Sequence, residues 1–263
     1  MKKKFLTAVA FFIATASFAQ DNLMDWANER QEKSTVQTPS ESFCFTPEVQ
    51  NGKIVCSGTI PLDGKVAKDI FSSALRWVVE TYPASRDVLK KIDAENNRFL
   101  METAIISTKY ASTATSYKYM TAFQAKDNEL VFQSFNISCS HLGSGLSLSM
   151  KTETFEELMP DLKPKKSKAK VYLEEFTKGN NSVLSRLADS IKKSQPVEIS
   201  HWDAIVGNKV IIGMNRIECL LSWGKPNDIN TSKMDSGVHE QWVYKNRQYL
   251  YFENGILTSM QDF

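Results

Sequence analysis

The sequence predicts an α+β protein in two modules: an antiparallel five-stranded sheet with helices on one face, then a small C-terminal helix-plus-three-strand module. Three observations lead there. Four consecutive strand-like runs between 87 and 139 are separated by short polar turns, which is the pattern of an antiparallel meander. Two stretches, Lys65 to Tyr82 and Val171 to Lys193, carry apolar residues at helical spacing. After Pro196 and its polar neighbours, a capped helix precedes short strands rich in Trp and Tyr.

The chain opens MKKKFLTAVAFFIATASFAQ, with Lys2, Lys3 and Lys4, an apolar run from Phe5 to Ala16, and small residues at Ser17 and Ala19. This predicts a secretory signal over residues 1–19, cleaved after Ala19. Twelve apolar residues make a helix of about 18 Å against a hydrocarbon core of about 30 Å, so a membrane anchor is the poorer reading. No Cys follows the run, so no lipid anchor is expected, and no later stretch has the length for a membrane span. Loss of three lysines leaves 29 bases against 30 acids, turning a formal charge of +2 into −1. A nearly neutral exported chain lacks the positive excess that dominates nucleic-acid affinity, so nucleic-acid binding is not expected. With 42% apolar residues, what remains is long enough to bury a substantial core.

Residues 20–40 are polar and aperiodic, a flexible leader in which Trp26 is the single large aromatic, able to dock on the body or on a partner. The larger module is expected over 41–195. Asn51-Gly52 is a strong turn dipeptide before the β-branched run Lys53 to Ile60. Pro61 and Gly64 then precede the first helix, stopped by Pro83, with Trp77 as a core anchor. The four runs are Asp87 to Ile92, Arg98 to Ser107, Ser116 to Gln124 and Glu129 to Cys139. In the last, Val131, Phe135, Ile137 and Cys139 are expected on one face, opposite Ser134, Asn136 and Ser138, as in a sheet covered on one side. Between Ser140 and Lys170 order weakens, apart from a Thr154-x-x-Glu157 capping box. The run KPKKSKAK there, with five lysines in eight positions, could meet an acidic partner or an anionic surface, but without interleaved aromatics it reads rather as a solvated linker. The helix from Val171 is expected to break at Gly179-Asn180. A junction over 196–206 holds a short helix near Ser200 to Val206. The tail module, 207–263, has a helix from Arg216 to Trp223 with Asn215 and Glu218 in capping-box register, stopped by Gly224. Strands Glu240 to Lys245, Gln248 to Glu253 and Ile256 to Asp262 follow, with a turn at Asn254-Gly255.

Over residues 41–195 this order, carried by GTIPLDGKVAKDIFSSALRWVVETYP, KKIDAENNRF and YKYMTAFQAKDNELVFQSFNIS, resembles an uncharacterised family of exported bacterial proteins with a TATA-binding-protein-like fold. The tail, VIIGMNRIECLLSWGKPNDIN with EQWVYKNRQYLYFENGILTSMQD, resembles the SmpA/OmlA (BamE-like) module of outer-membrane assembly lipoproteins, and is similar in shape to β-lactamase inhibitor repeats. The resemblance implies a protein-binding module of the cell envelope. This chain departs from those lipoproteins in lacking an acceptor Cys.

No GxSxG, P-loop or GxGxxG occurs, and His141, His201 and His239 stand in no metal-ligand spacing, so neither a catalytic residue nor a metal or other cofactor is expected. Adjacent acids such as Glu156-Glu157 and Glu174-Glu175 point about 100° apart on a helix and do not converge. The leading expectation is a soluble periplasmic or secreted binding or scaffolding protein whose partner is an envelope protein or a second copy of itself. Its candidate surface is Trp242, Tyr244, Tyr249 and Tyr251, since Tyr and Trp dominate binding hot spots; the competing reading builds the tail's core from alternate members of this set. The alternative is a hydrolase or glycan-binding enzyme with a site between the modules at His201 and Trp202. Cys44, Cys56, Cys139 and Cys219 show no CxxC spacing. Buried free thiols and one disulfide both remain open, and Cys56 and Cys139 could pair if the first strand lies beside the last strand of the sheet.

Overall fold

A computed structural model describes residues 43–107, 115–142, 150–158 and 168–261. The signal, the leader and most of the basic run fall outside the described residues.

The large module is an antiparallel sheet of β1 (Glu48–Gln50), β2 (Lys53–Pro61), β3 (Leu89–Asp93), β4 (Arg98–Ser107), β5 (Thr115–Lys126), β6 (Glu129–Leu142) and β7 (Met150–Thr154). Its order is β1-β2-β6-β5-β4-β3, with β7 also on β6. The five expected strands are β2 to β6. The short strands β1 and β7 bring the total to seven, and α2 (Ser85–Val88) takes the start of the run expected to be β3. Asn51 and Gly52, at φ 48° and 75°, make the hairpin between β1 and β2, a conformation those two residue types tolerate.

One face of the sheet is covered by α1 (Ala67–Thr81), α3 (Phe155–Leu158) and α4 (Lys168–Lys193). The core there includes Ile70, Phe71, Trp77 and Val78 of α1, Phe176, Leu187 and Ile191 of α4, and Phe99, Tyr117, Tyr119 and Phe132 of the strands. The capping box at α3 forms as its sequence indicates: Thr154 Oγ1 accepts from the Glu157 N–H and Glu157 Oε2 from the Thr154 N–H. Gly179 and Asn180 do not interrupt α4, for tertiary reasons. A Cβ on Gly179 would stand 2.6 Å from Ile105 Cγ2, so glycine is what lets the helix lie close to β4. Asn180 is 1% exposed, and its amide meets Ser134 Oγ (3.3 Å) and Cys56 Sγ (3.5 Å). A buried polar residue with partners is tolerated inside a helix.

The expected one-face alignment of Val131, Phe135, Ile137 and Cys139 is corrected by a bulge. Lys118 pairs with Ser138 but Met120 with Phe135, so Asn136 and Ile137 together oppose Tyr119. Asn136 has φ 50°. One extra residue exchanges the faces of everything beyond it. Leu130 and Phe132 before the bulge, and Ile137 and Cys139 after it, join the helix-side core. Phe135 packs with Val55, Leu100 and Ala122 on the opposite face.

The Cys56–Cys139 disulfide is also corrected. The first strand does lie beside the last of the five, but Cys56 is opposite Ser134, five residues from Cys139, a displacement of roughly 16 Å at strand rise. All four cysteines are free; burial pushes the Cys56 thiol up to about 12 and the Cys139 thiol up to about 11.

The tail consists of α5 (Trp202–Val206), α6 (Arg216–Trp223) and a four-stranded antiparallel sheet, β8 (Asp228–Met234), β9 (Gly237–Val243), β10 (Tyr249–Glu253) and β11 (Ile256–Gln261), in the order β11-β10-β9-β8. The expectation of three strands missed β8, because DINTSKM is exposed along its whole length and has no apolar alternation. Gly224 ends α6 at φ 77°. The apolar core continues between the modules: Phe71 meets Trp202 at 5.6 Å between ring centroids, and Lys225 Nζ donates to the Glu80 carbonyl at 2.7 Å.

Candidate functional site

The four aromatic candidates of the tail part according to strand parity. Trp242, with Leu250 and Phe252, points to the inner face under α6 and is 2% exposed. Its indole N–H donates to Glu240 Oε2 at 3.2 Å, and Arg216 Nε reaches the same oxygen at 2.6 Å. It is a core residue. Tyr244 is anchored too: its hydroxyl donates to the Gly224 carbonyl at 3.0 Å and its ring meets Trp223 edge-on at 5.4 Å. Burial raises the Tyr244 phenol above its ordinary value.

Tyr249 and Tyr251 lie on the other face, half-buried. There Tyr251 belongs to a line of side chains crossing all four strands. Asn230 Nδ2 on β8 donates to Gln241 Oε1 on β9 (3.0 Å), Gln241 Nε2 donates to the Tyr251 hydroxyl on β10 (3.1 Å), and that hydroxyl donates to Gln261 Oε1 on β11 (3.1 Å). Each group is oriented by the next, so the row presents amides and a phenol ring in a fixed order, as suits a polar, aromatic contact surface. At one edge β8 pairs with β9 on one side only. Its Ile229 and Met234 are 47% and 63% exposed. Of the four candidates read from the sequence, Tyr249 and Tyr251 stand on this face; Asn230, Gln241 and Gln261 of the same row were not singled out, because their signal, a polar residue at matching parity in each strand, is visible only once β8 is known to be a strand.

At the junction, His201 and Trp202 are adjacent in the chain but do different things. Glu218 Oε1 accepts from the N–H groups of Ser200 (2.8 Å) and His201 (3.1 Å) and meets His201 Nδ1 at 3.0 Å, while Oε2 accepts from the Asn215 N–H at 2.8 Å. The capping box expected of Asn215 and Glu218 is therefore also the bolt between α6 and the junction. Burial works to raise the Glu218 carboxyl, but the Ser200, Asn215 and His201 donors prevail and hold it below the usual carboxylate range. Trp202 instead helps line an open cavity of about 180 Å³ with Lys68, Phe71, Ser72, Ala94, Asn97 and Ile199. That volume is below the range typical of ligand pockets, about 300–1,000 Å³. No carboxylate lines it and His201 does not reach it.

The other two histidines are part-buried and stand apart from the junction. Ser236 Oγ lies 3.0 Å from His239 Nε2, and His239 Nδ1 lies 4.0 Å from Glu253 Oε1. The connectivity is that of a nucleophile relay, but the carboxylate is beyond hydrogen-bond reach and 59% exposed, on hairpin ends. His141 lies against the Tyr172 ring with Nε2 3.9 Å from Glu153. Among the described residues no cluster of three or more His, Cys, Asp or Glu is placed to hold a metal ion, and no helix is long and apolar enough to cross a membrane.

No protein-family model and no curated protein matches the chain. Solved structures do, among them the following two. A TBP-like protein from Parabacteroides distasonis shares 12% identity at a TM-score of 0.48, covering 56% of this chain and 98% of its own. A DUF4468 family protein from Bacteroides ovatus shares 15% identity at a TM-score of 0.41, covering 59% of this chain and 94% of its own.

Proposed function

We propose that this is an exported binding or scaffolding protein of the cell envelope that works through protein contacts made by its tail module, as the tail's BamE-like sequence pattern implies. The observation that carries this reading is the open face of the small sheet, where Asn230, Gln241, Tyr251 and Gln261 form one hydrogen-bonded row beside Tyr249. Pre-ordered amides and tyrosines lose little conformational entropy on contact, which favours binding. The surface is narrower than the four aromatics suggested by sequence: Tyr249 and Tyr251 make contact, while Trp242 and Tyr244 hold the sheet they stand on. The test is in-cell crosslinking followed by capture from the envelope fraction, comparing the parent with a Tyr249→Ala/Tyr251→Ala variant of unchanged thermal stability. The reading expects one or more specific species, or a crosslinked dimer of the chain, to be lost in the variant. Identical recoveries from both would overturn it, as would a cytoplasmic location of the intact protein.

The junction cavity supports a second reading, in its glycan-binding rather than its hydrolytic form. It offers an aromatic ring, Trp202, with polar Asn97 and Lys68, whereas glycoside hydrolysis ordinarily requires a pair of carboxyl groups. Protection of Trp202 fluorescence from quenching by envelope oligosaccharides, abolished in Trp202→Leu, would support it.

A further inference from the structure

We propose that the junction cavity binds a six-membered ring that carries a carboxylate, with the oxyanion at Lys68 and Asn97 and the ring against Phe71, Ile199 and Trp202. This deepens the second reading above and rests on its premise that the cavity is a binding site. Three elements build the walls. The first turns of α1 supply Lys68, Phe71 and Ser72, the turn from β3 to β4 supplies Ala94 and Asn97, and the chain entering α5 supplies Ile199 and Trp202. The polar part of that lining is one-sided. The Lys68 ammonium, the Asn97 amide and the Trp202 indole all carry N–H groups, and among the described residues no hydrogen bond or ion pair engages these three heads. No acid answers them. Asp69 and Asp203, the chain neighbours of Lys68 and Trp202, do not line the cavity, and Asp93 accepts from the backbone and side-chain N–H groups of Asn96 at 3.0 to 3.1 Å. An unpaired cation with further donors and no carboxylate is complementary to an oxyanion.

Size and apolar wall define the body of the ligand. A cavity of about 150 Å³ holds a benzene ring, so this one of about 180 Å³ takes a single ring with its carboxyl group. Phe71 and Ile199 are 1% and 3% exposed, and the Phe71 and Trp202 rings lie 5.6 Å apart between centroids. The walls are also set in advance. Asn97 stands at φ 52°, a conformation that asparagine tolerates. Its N–H donates to the Ala94 carbonyl at 3.4 Å, and its carbonyl accepts from the Ala125 N–H at 2.9 Å. Trp202 follows directly on Ser200 and His201, whose N–H groups are held by Glu218. Groups fixed before contact lose little entropy on binding. Lys68, exposed beside them, adds the charge. Because the cavity is open, substituents on the ring extend into solvent, so the ring is either a free acid or one acidic unit of a longer glycan.

The test is calorimetric titration of the intact protein with glucuronate and benzoate, an acidic sugar set against an aromatic acid. Glucose and benzyl alcohol are their neutral counterparts, and inorganic phosphate is charge without a ring. The proposal expects at least one ring acid to bind about tenfold more tightly than its neutral counterpart. Glucuronate as the tighter acid makes a sugar the source, and benzoate as the tighter makes it an aromatic acid. Lys68→Met changes an exposed side chain, and Asn97→Asp keeps a residue type that accepts positive φ. Each should remove the preference for the acid while melting with the parent. Neutral rings bound as tightly as the acids, or a preference unchanged in both variants, would overturn the proposal while bound glucose leaves the glycan-binding reading standing. Phosphate displacing the ring acid at equal concentration would overturn it too, by reducing the site to an unspecific anion contact. No ring bound at all would overturn both.

Discussion

Replacing Glu218 with Gln tests whether the junction is held by one buried carboxylate. Glu218 is 1% exposed and serves three backbone N–H groups, those of Ser200, His201 and Asn215, as well as the His201 ring. A Gln amide has one accepting oxygen. If that oxygen faces Ser200 and His201, the NH2 faces the Asn215 N–H, and a buried donor is left without an acceptor at a cost of about 1–3 kcal/mol. The two donors that keep an oxygen lose the charge assistance that roughly doubles such bonds, about 1 kcal/mol between them. The sum is about 3 kcal/mol, or a fall in Tm of roughly 6–12 °C for a chain of this size. Circular dichroism melts at neutral pH measure it. Because the folded-state pKa of Glu218 is lowered, its contribution is present above the ordinary carboxylate value of 4.5 and is lost as pH falls through the depressed value. The difference between parent and Glu218→Gln should therefore shrink on acidification below 4.5. A variant within about 1 kcal/mol of the parent at pH 7, or a difference that grows in acid, would refute the reasoning.

Two further outcomes follow from packing. Gly179→Ala adds about 1 kcal/mol of helix propensity but puts a methyl against Ile105, and overpacking of this kind costs about 1–3 kcal/mol. A net loss is expected in the parent and a net gain in an Ile105→Ala background; urea titrations giving the same change in both would remove the contact from the explanation. For the cysteines, an aromatic disulfide reagent should modify Cys44 alone in the native protein, since Cys56, Cys139 and Cys219 are buried and burial pushes the Cys56 and Cys219 thiols up to about 12. The denatured, unreduced chain should give four thiols, and a count of two would restore a disulfide.

Legibility followed the range of the interaction involved. The hairpin turns at Asn51-Gly52 and Asn254-Gly255 and the caps at Thr154 and Asn215 were readable because each depends on residues within a few positions of itself. Strand β8 was not, since an exposed edge strand carries no apolar alternation and owes its conformation to β9. Trp242 and Tyr251 look alike in composition; only the pairing of β9 with β10 shows which points under α6 and which points outward.

The amino-acid sequence by itself determined the class of the fold, the position of the main helices and strands, and the local stops between them, because hydrophobic period and turn chemistry act along the chain. The tertiary structure decided what those elements mean for one another. Gly179 is a close approach to Ile105 and no helix break, because the distance that matters crosses from α4 to β4. Asn136 exchanges the faces of β6 and leaves Phe135 on the side away from the helices. Glu218 caps its own helix as foreseen, and also fastens Ser200 and His201, which approach it only when the modules pack. Period and propensity are one-dimensional, whereas a side chain's partner across a sheet or under a helix is set by register and packing, which no local pattern encodes.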